Sequence, residues 1–148
     1  MNTPKLNLAV IVMNEKKVLL KKIRDNGKEF WDFPTGLLGF REDFGVSALR
    51  IVQDETGIDV KVLDDSPVYI INEIPRGLSE HYVTLFILSY LGHNEFKVMR
   101  LEKEGRYRMY LWGCLPNNTS TRIKKLVSQG YNPCRDLKRN LVLSAEVD

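Results

Sequence analysis

Cysteine and histidine are scarce, with two of each in 148 residues. Cys114 and Cys134 are too few for a disulfide framework and lack the close pairing and histidine company of a zinc site, so both are read as reduced thiols. Long apolar runs are missing too. Nothing approaches the roughly 18 residues that a spanning helix requires, and Met1 to Leu8 has neither a basic start nor a small-residue cleavage pattern. A cytoplasmic protein with no membrane association is the expectation. Charge of one sign is also lacking: 22 basic residues against 19 acidic ones leave +3. That balance does not announce nucleic acid, and it does not repel a polyphosphate. With 43% hydrophobic and 28% charged residues, 10 glycines and 6 prolines, the composition excludes collagen, coiled coil and disordered tails.

What is present fits one α+β domain over residues 1–148, with no internal repeat or low-complexity linker. Leu6 to Met13 is β-branched and apolar, Asn14-Glu15-Lys16 breaks it, and Lys17 to Lys21 resumes, which predicts a hairpin. Asp25-Asn26-Gly27 is turn chemistry, Phe30 to Phe33 a short strand that Pro34 cannot extend, and Thr35 to Arg41 a loop. From Asp43 to Glu55 the spacing becomes helical, with Val46, Ala48, Leu49 and Val52 along one side and Gly57 as the stop. Ile58 to Leu63, Pro67 to Asn72, His81 to Leu91 and Arg106 to Trp112 are rich in strand formers. Thr119 or Ser120 caps a second helix to about Gln129, closed by Gly130 and Pro133.

The first helix carries its acids at the wrong end. Asp54 and Glu55 sit in the last turn, where the macrodipole disfavours carboxylates by about 0.3–1 kcal/mol each. A bound cation would remove the conflict; a solvated acidic edge is the blander account. Glu42 lies before the helix, Gly36 opens a loop that lets backbone approach a ligand, and Arg50 is spaced to pair with Asp54.

Their order, Gly36-x5-Glu42-x7-Arg50-Ile51-Val52-Gln53-Asp54-Glu55-Thr56-Gly57-Ile58, resembles the Nudix box, Gly-x5-Glu-x7-Arg-Glu-U-x-Glu-Glu-x-Gly-U, in which U is bulky and aliphatic. Eight of its nine specified positions match, counting Asp54 for glutamate. The hairpin before it, the Trp31-Asp32-Phe33-Pro34 segment and the Leu115-Pro116 step ahead of a late helix are also Nudix-like. His81 to Thr84 and Leu126 to Pro133 look like the cytosolic nucleotide triphosphate diphosphatases of the MutT-homologue type.

The resemblance implies a Nudix fold, a mixed β-sheet sandwiched between α-helices. It implies hydrolysis of a nucleoside diphosphate linked to another moiety, first a nucleoside triphosphate to monophosphate and diphosphate, with Mg2+ or Mn2+ as cofactor. On motif position Glu42, Asp54 and Glu55 are the expected metal ligands. Glu55, Arg50 and Glu102 are the expected catalytic residues, with Arg50 holding a carboxylate and Glu102 supplying one further acid from a loop. Lys22, Gly36 and Thr84 are the expected substrate contacts, and a homodimer would fit the family.

Ile51 is the departure. It stands where the box has a glutamate that binds metal and often serves as general base, so either Glu102 or Glu104 substitutes or turnover is very slow. Two further readings therefore stand beside the first. One is a catalytically silent domain that binds a nucleotide, an ADP-ribose-like metabolite or an RNA end. The other is a hydrolase of capped or triphosphorylated RNA ends, favoured by the basic residues Lys124, Lys125, Arg135, Lys138 and Arg139. Trp31 and Trp112 are read as core rather than base-stacking residues, His81 and His93 as structural or solvent-facing, and Arg122 as a helix-surface arginine.

Overall fold

In the computed structural model, which describes residues 3–62, 64–77 and 79–137, the opening apolar run is strand β1 (Lys5–Asn14). A turn with Glu15 at φ 54° returns it as β2 (Lys17–Asp25), the expected hairpin. Asn26 (φ 50°) and Gly27 (φ 77°) reverse the chain again into β3 (Lys28–Asp32), which stops short of Pro34. Thr35–Leu37 departs from the loop expected there: it is a short strand, β4, with Gly36 opposite Leu8 of β1. Three residues carry little propensity of their own. They become a strand because β2 is registered on β1 only near the turn, leaving Asn7 to Ala9 to find another backbone partner.

Helix α1 (Phe44–Thr56) ends where Gly57, at φ 75°, donates its N–H to Gln53. Its inner face differs from the expected one, since Gly45, Ser47, Ala48, Ile51 and Val52 are buried whereas Val46 and Leu49 are exposed. The small residues are what let the helix lie close to the sheet. Three strands follow: β5 (Lys61–Val62), β6 (Tyr69–Glu73) and β7 (Tyr82–Tyr90). Strand β7 runs parallel to β1 from Lys5 opposite Tyr82 to Met13 opposite Tyr90, while the other strand-to-strand ladders among the described residues are antiparallel.

A helix that the sequence reading missed, α2 (Glu95–Glu104), buries Val98 and Leu101 and is stopped by Gly105 in the left-handed conformation. It leads to β8 (Tyr107–Leu111) against β2, a short 3-10 turn (Trp112–Cys114), and α3 (Thr121–Ser128), capped by the Ser120 hydroxyl, which accepts from Ile123 N–H.

Alternation along the strands divides the core into two layers. Leu8, Val10, Val12 and Leu19 pack with Ile51, Val52, Val98 and Leu101 on the α1 and α2 side. Ala9, Ile11, Met13, Val18 and Leu20 pack with Trp31, Phe86, Ile123 and Leu126 on the α3 side. The result is the mixed sheet between helices that the resemblance implied. Lys138 and Arg139 lie outside the described residues.

Candidate active site

The electrostatic conflict at the end of α1 is resolved within the chain. No basic residue occupies the last turn of the helix, but β2 delivers Lys21 to it, whose Nζ donates to Glu55 Oε1 at 3.2 Å. The other carboxylate oxygen accepts from the Tyr107 hydroxyl of β8, also at 3.2 Å. Burial, followed by the charge of Glu55, pushes the Tyr107 phenol well above its ordinary pKa, so it remains a donor. Strand alternation decides which lysine serves. Lys21 shares the face of Leu19, whereas Lys22, the residue expected at the phosphates, lies on the other face with Nζ 5.4 Å from the Trp31 ring centroid.

Before the helix, Arg50 Nε donates to Glu42 Oε1 at 3.0 Å and to Oε2 at 3.1 Å, and its Nη2 donates to the carbonyl of Leu37 at 3.0 Å. Ser47 Oγ adds a bond to Glu42 Oε1 at 2.8 Å and accepts from Gly39 N–H at 3.2 Å. The loop after Gly36 is therefore clamped to the helix by one arginine and one carboxylate. The hydrogen bond from Arg50, then that from Ser47, holds the Glu42 carboxyl below its ordinary pKa. Arg50 pairs with Glu42 rather than with Asp54, the partner that helical spacing offered. Gly39 suits this arrangement, because a β-carbon there would run into the Glu42 carboxylate and displace it from Arg50.

Ile51 occupies no open position at the centre of a site. It is 3% exposed and belongs to the core beneath Gly36, where an added β-carbon would meet Ile51 Cγ1 at 2.7 Å. Glu102, expected on a loop, is instead in the last turn of α2 and exposed, as is Glu104. Good helix formers from Glu95 onward, with Val98 and Leu101 three apart and Gly105 behind them, were the signal for that helix.

The carboxylates have the right chemistry for a hard divalent cation, and Asp54 is exposed. In the structure Glu55 is engaged by Lys21 and Tyr107 and Glu42 by Arg50 and Ser47, and among the described residues no three His, Cys, Asp or Glu side chains gather at one point, so a cation beside Asp54 requires Glu55 to leave Lys21.

On the α3 side, a second polar assembly lies where sequence reading saw only Thr84 and a surface arginine. Arg122 is largely buried, with its side chain 18% exposed; its Nε stands 3.3 Å from Glu73 Oε2 and its Nη1 3.7 Å from Asp32 Oδ2. Thr84, fully buried, donates to Glu73, and Ser120 Oγ donates to Asp32 Oδ1 at 2.8 Å. Burial dominates at Asp32 and raises its pKa, although Arg122 and Ser120 oppose the shift. With the Asn7 amide turned so that each end meets a complementary partner, Oδ1 accepts from Arg122 Nη1 at 3.2 Å and Nδ2 donates to the Gly36 carbonyl at 3.0 Å. One hydrogen-bonded chain therefore links this assembly to the glycine that opens the loop. Trp31 is core, stacked edge-on with Tyr110, while Trp112 is half-buried, and His81 contacts Asn72.

Comparison with known proteins bears on this arrangement. The NUDIX domain family model matches residues 3–108, so the chain belongs to that family. Among curated proteins, an RNA pyrophosphohydrolase from Pelagibacter ubique is 34% identical over 80 residues, which is 52% of this chain and 51% of that protein. The match thus spans about half the length of that relative. Among solved structures, a MutT NUDIX hydrolase from Burkholderia pseudomallei superposes with a TM-score of 0.65 at 15% identity, over 88% of this chain and all of that one. An ADP-ribose pyrophosphatase from Streptococcus suis gives 0.57 at 21% identity, covering 93% of each chain. At such identities these two likenesses establish the fold. Among the described residues, no helix is long and apolar enough to cross a membrane.

Proposed function

We propose that the chain is a cytoplasmic Nudix pyrophosphohydrolase that cleaves a nucleoside diphosphate linked to another moiety, with nucleoside triphosphates as the first substrate. The observation that carries this reading is the Glu42–Arg50 clamp, which pins the Gly36 loop beside the helix that ends in Asp54 and Glu55. A diphosphate laid along that loop and the helix would draw Lys21 from its place at the end of α1. Lys21 then exchanges Glu55 for a phosphate oxygen, and Glu55 is released to act at the reacting centre while Tyr107 continues to orient it.

Mg2+ or Mn2+ is the expected cofactor. Asp54 and the released Glu55 would hold it, and it would supply charge neutralisation and a water of lowered pKa. The similarity to an RNA pyrophosphohydrolase supports a second reading, in which the substrate is a triphosphorylated RNA end.

The test is product analysis on nucleoside triphosphates, ADP-ribose and triphosphorylated RNA with Mg2+ or Mn2+, for the natural chain and Glu55→Gln. Conversion of a nucleoside triphosphate to monophosphate and diphosphate, falling about 10²–10⁴-fold in Glu55→Gln, is the expected result. RNA turned over at least tenfold faster than any mononucleotide would shift the assignment to the second reading. A folded chain inert on every substrate would leave a binding domain.

A further inference from the structure

The chain brings two lysines to the C-terminal end of α1, and they do different things there. Lys97 of α2 donates to the Gly57 carbonyl at 3.3 Å, so it answers the negative end of the backbone dipole. Lys21 of β2 goes to a side chain instead, Glu55 Oε1 at 3.2 Å, and among the described residues no other ion pair involves Glu55 or Asp54. The pair sits at an intermediate depth, with the Lys21 side chain 25% exposed and that of Glu55 19%. Neither charge is fully hydrated there, so each relies on the other for neutralisation. Tyr107 occupies the second oxygen of Glu55, which leaves the first one directed at the lysine, while Asp54 beside it is exposed.

Three ways of disturbing this pair leave different charges behind. A divalent cation that comes alone to Asp54 and Glu55 displaces the Lys21 ammonium and then faces it as a like charge. A diphosphate that comes alone to Lys21 takes the lysine from Glu55 and sets a polyanion beside two carboxylates. When both come, the lysine lies against phosphate oxygens and the carboxylates against the cation. Only this last arrangement leaves every charge opposite one of the other sign, and at partial burial that difference is weakly screened.

We infer that Lys21 is an internal cation that closes the Asp54–Glu55 end of α1 to divalent ions until a diphosphate draws it away, so that ion and diphosphate bind as a mutually dependent pair. The inference rests on the proposed function for the presence of both at this end of the helix. It adds a regulation to that site: the diphosphate itself admits the ion. Coupling of this kind is reciprocal, so the ion raises the affinity for the diphosphate by the same factor. Lys22, one position along but on the other face of the sheet over Trp31, takes no part in it.

Mn2+ binding is followed by electron paramagnetic resonance, alone and with methylenediphosphonate, a diphosphate analogue that is not hydrolysed. The natural chain is compared with Lys21→Met, Lys21→Arg and Lys22→Met in the same Mn2+ and diphosphonate solutions, so that chelation in solution cancels between chains. The factor by which the analogue tightens Mn2+ is expected to be at least about fivefold larger in the natural chain than in Lys21→Met, the lower end of what coupled sites show. Lys21→Arg keeps the cation and should retain most of that factor. Lys22→Met removes the same charge from the other face and should retain all of it, which separates a contact with Glu55 from a change in net charge. A smaller ratio between the natural chain and Lys21→Met, or an equal loss in Lys22→Met, overturns the inference and leaves the hydrolase reading standing if turnover is observed. Mn2+ bound by none of the chains under either condition overturns it together with the assignment of the ion to Asp54 and Glu55. Coupling that depends on Lys21 in a chain that turns over no substrate would sink the hydrolase reading alone.

Discussion

Lys21 and Lys22 are neighbours on one strand, yet Lys21 meets a helix carboxylate on the α1 face and Lys22 lies over an aromatic ring on the other. The two faces handle charge differently. On the α1 face Glu55 and Glu42 each meet one cation and one hydroxyl at the partly exposed ends of the helix. On the α3 face Asp32, Glu73 and Arg122 share partners in a single network held under the sheet, deep enough that burial raises the Asp32 pKa. Pairs at a partly exposed rim exchange partners at modest cost, as a diphosphate site requires. A buried network stays fixed and can hold a pattern of donors and acceptors for recognition.

The largest expected break in this contrast is Ile51→Glu. It restores the box glutamate on the α1 face, but the position is core, so it should destabilise the chain by about 3–5 kcal/mol, the scale of an uncompensated buried charge. Denaturant unfolding measures it, and a cost below about 1 kcal/mol would mean that the side chain swings out into the site.

Gly36→Ala comes next. Overpacking against Ile51 should cost about 1–3 kcal/mol, and much of that loss should disappear in an Ile51→Ala background if the contact is its cause.

Lys21→Met tests the partner exchange. Stability should change by only about 1 kcal/mol, since the pair is partly exposed, while Mn2+ binding followed by electron paramagnetic resonance should tighten because Glu55 has lost its competing cation. Unchanged Mn2+ affinity would show that Lys21 does not compete for Glu55.

The smallest effect belongs to Asp32→Asn on the opposite face. Burial raises the Asp32 pKa, so the folded chain holds that proton more tightly than the unfolded chain does. The stability contributed by the acid form is present at low pH and is lost as pH rises through the shifted value. Asp32→Asn should therefore be at least as stable as the natural chain at pH 7, with its advantage fading on acidification; a variant less stable at pH 7 than at pH 4 relative to the natural chain would contradict this sign.

Much of this was legible in the residues. The opening hairpin followed from an apolar run broken by Asn14-Glu15-Lys16, the stop of α1 from Gly57, and the cap of α3 from Ser120, because each depends on chemistry within a few positions. The box spacing gave the family through Gly36, Glu42, Arg50 and Glu55. The inner face of α1 was misread, since Val46 and Leu49 are apolar yet exposed while Gly45 and Ala48 make the close approach. Helix α2 was missed, and with it the position of Glu102, because only Val98 and Leu101 mark its buried side.

By itself the sequence determined the opening hairpin, the helices that became α1 and α3, the acidic end of the first helix and the membership that its spacing announces, all of which rest on local propensity and motif. The tertiary structure alone decided that the cation at that acidic end is Lys21, that the place of the missing glutamate is filled by core, and that Arg122 is buried between Asp32 and Glu73. Those outcomes depend on which strands become neighbours and which way each side chain alternates, and residues as far apart as Asp32, Glu73 and Arg122 share a surface only once the sheet has formed.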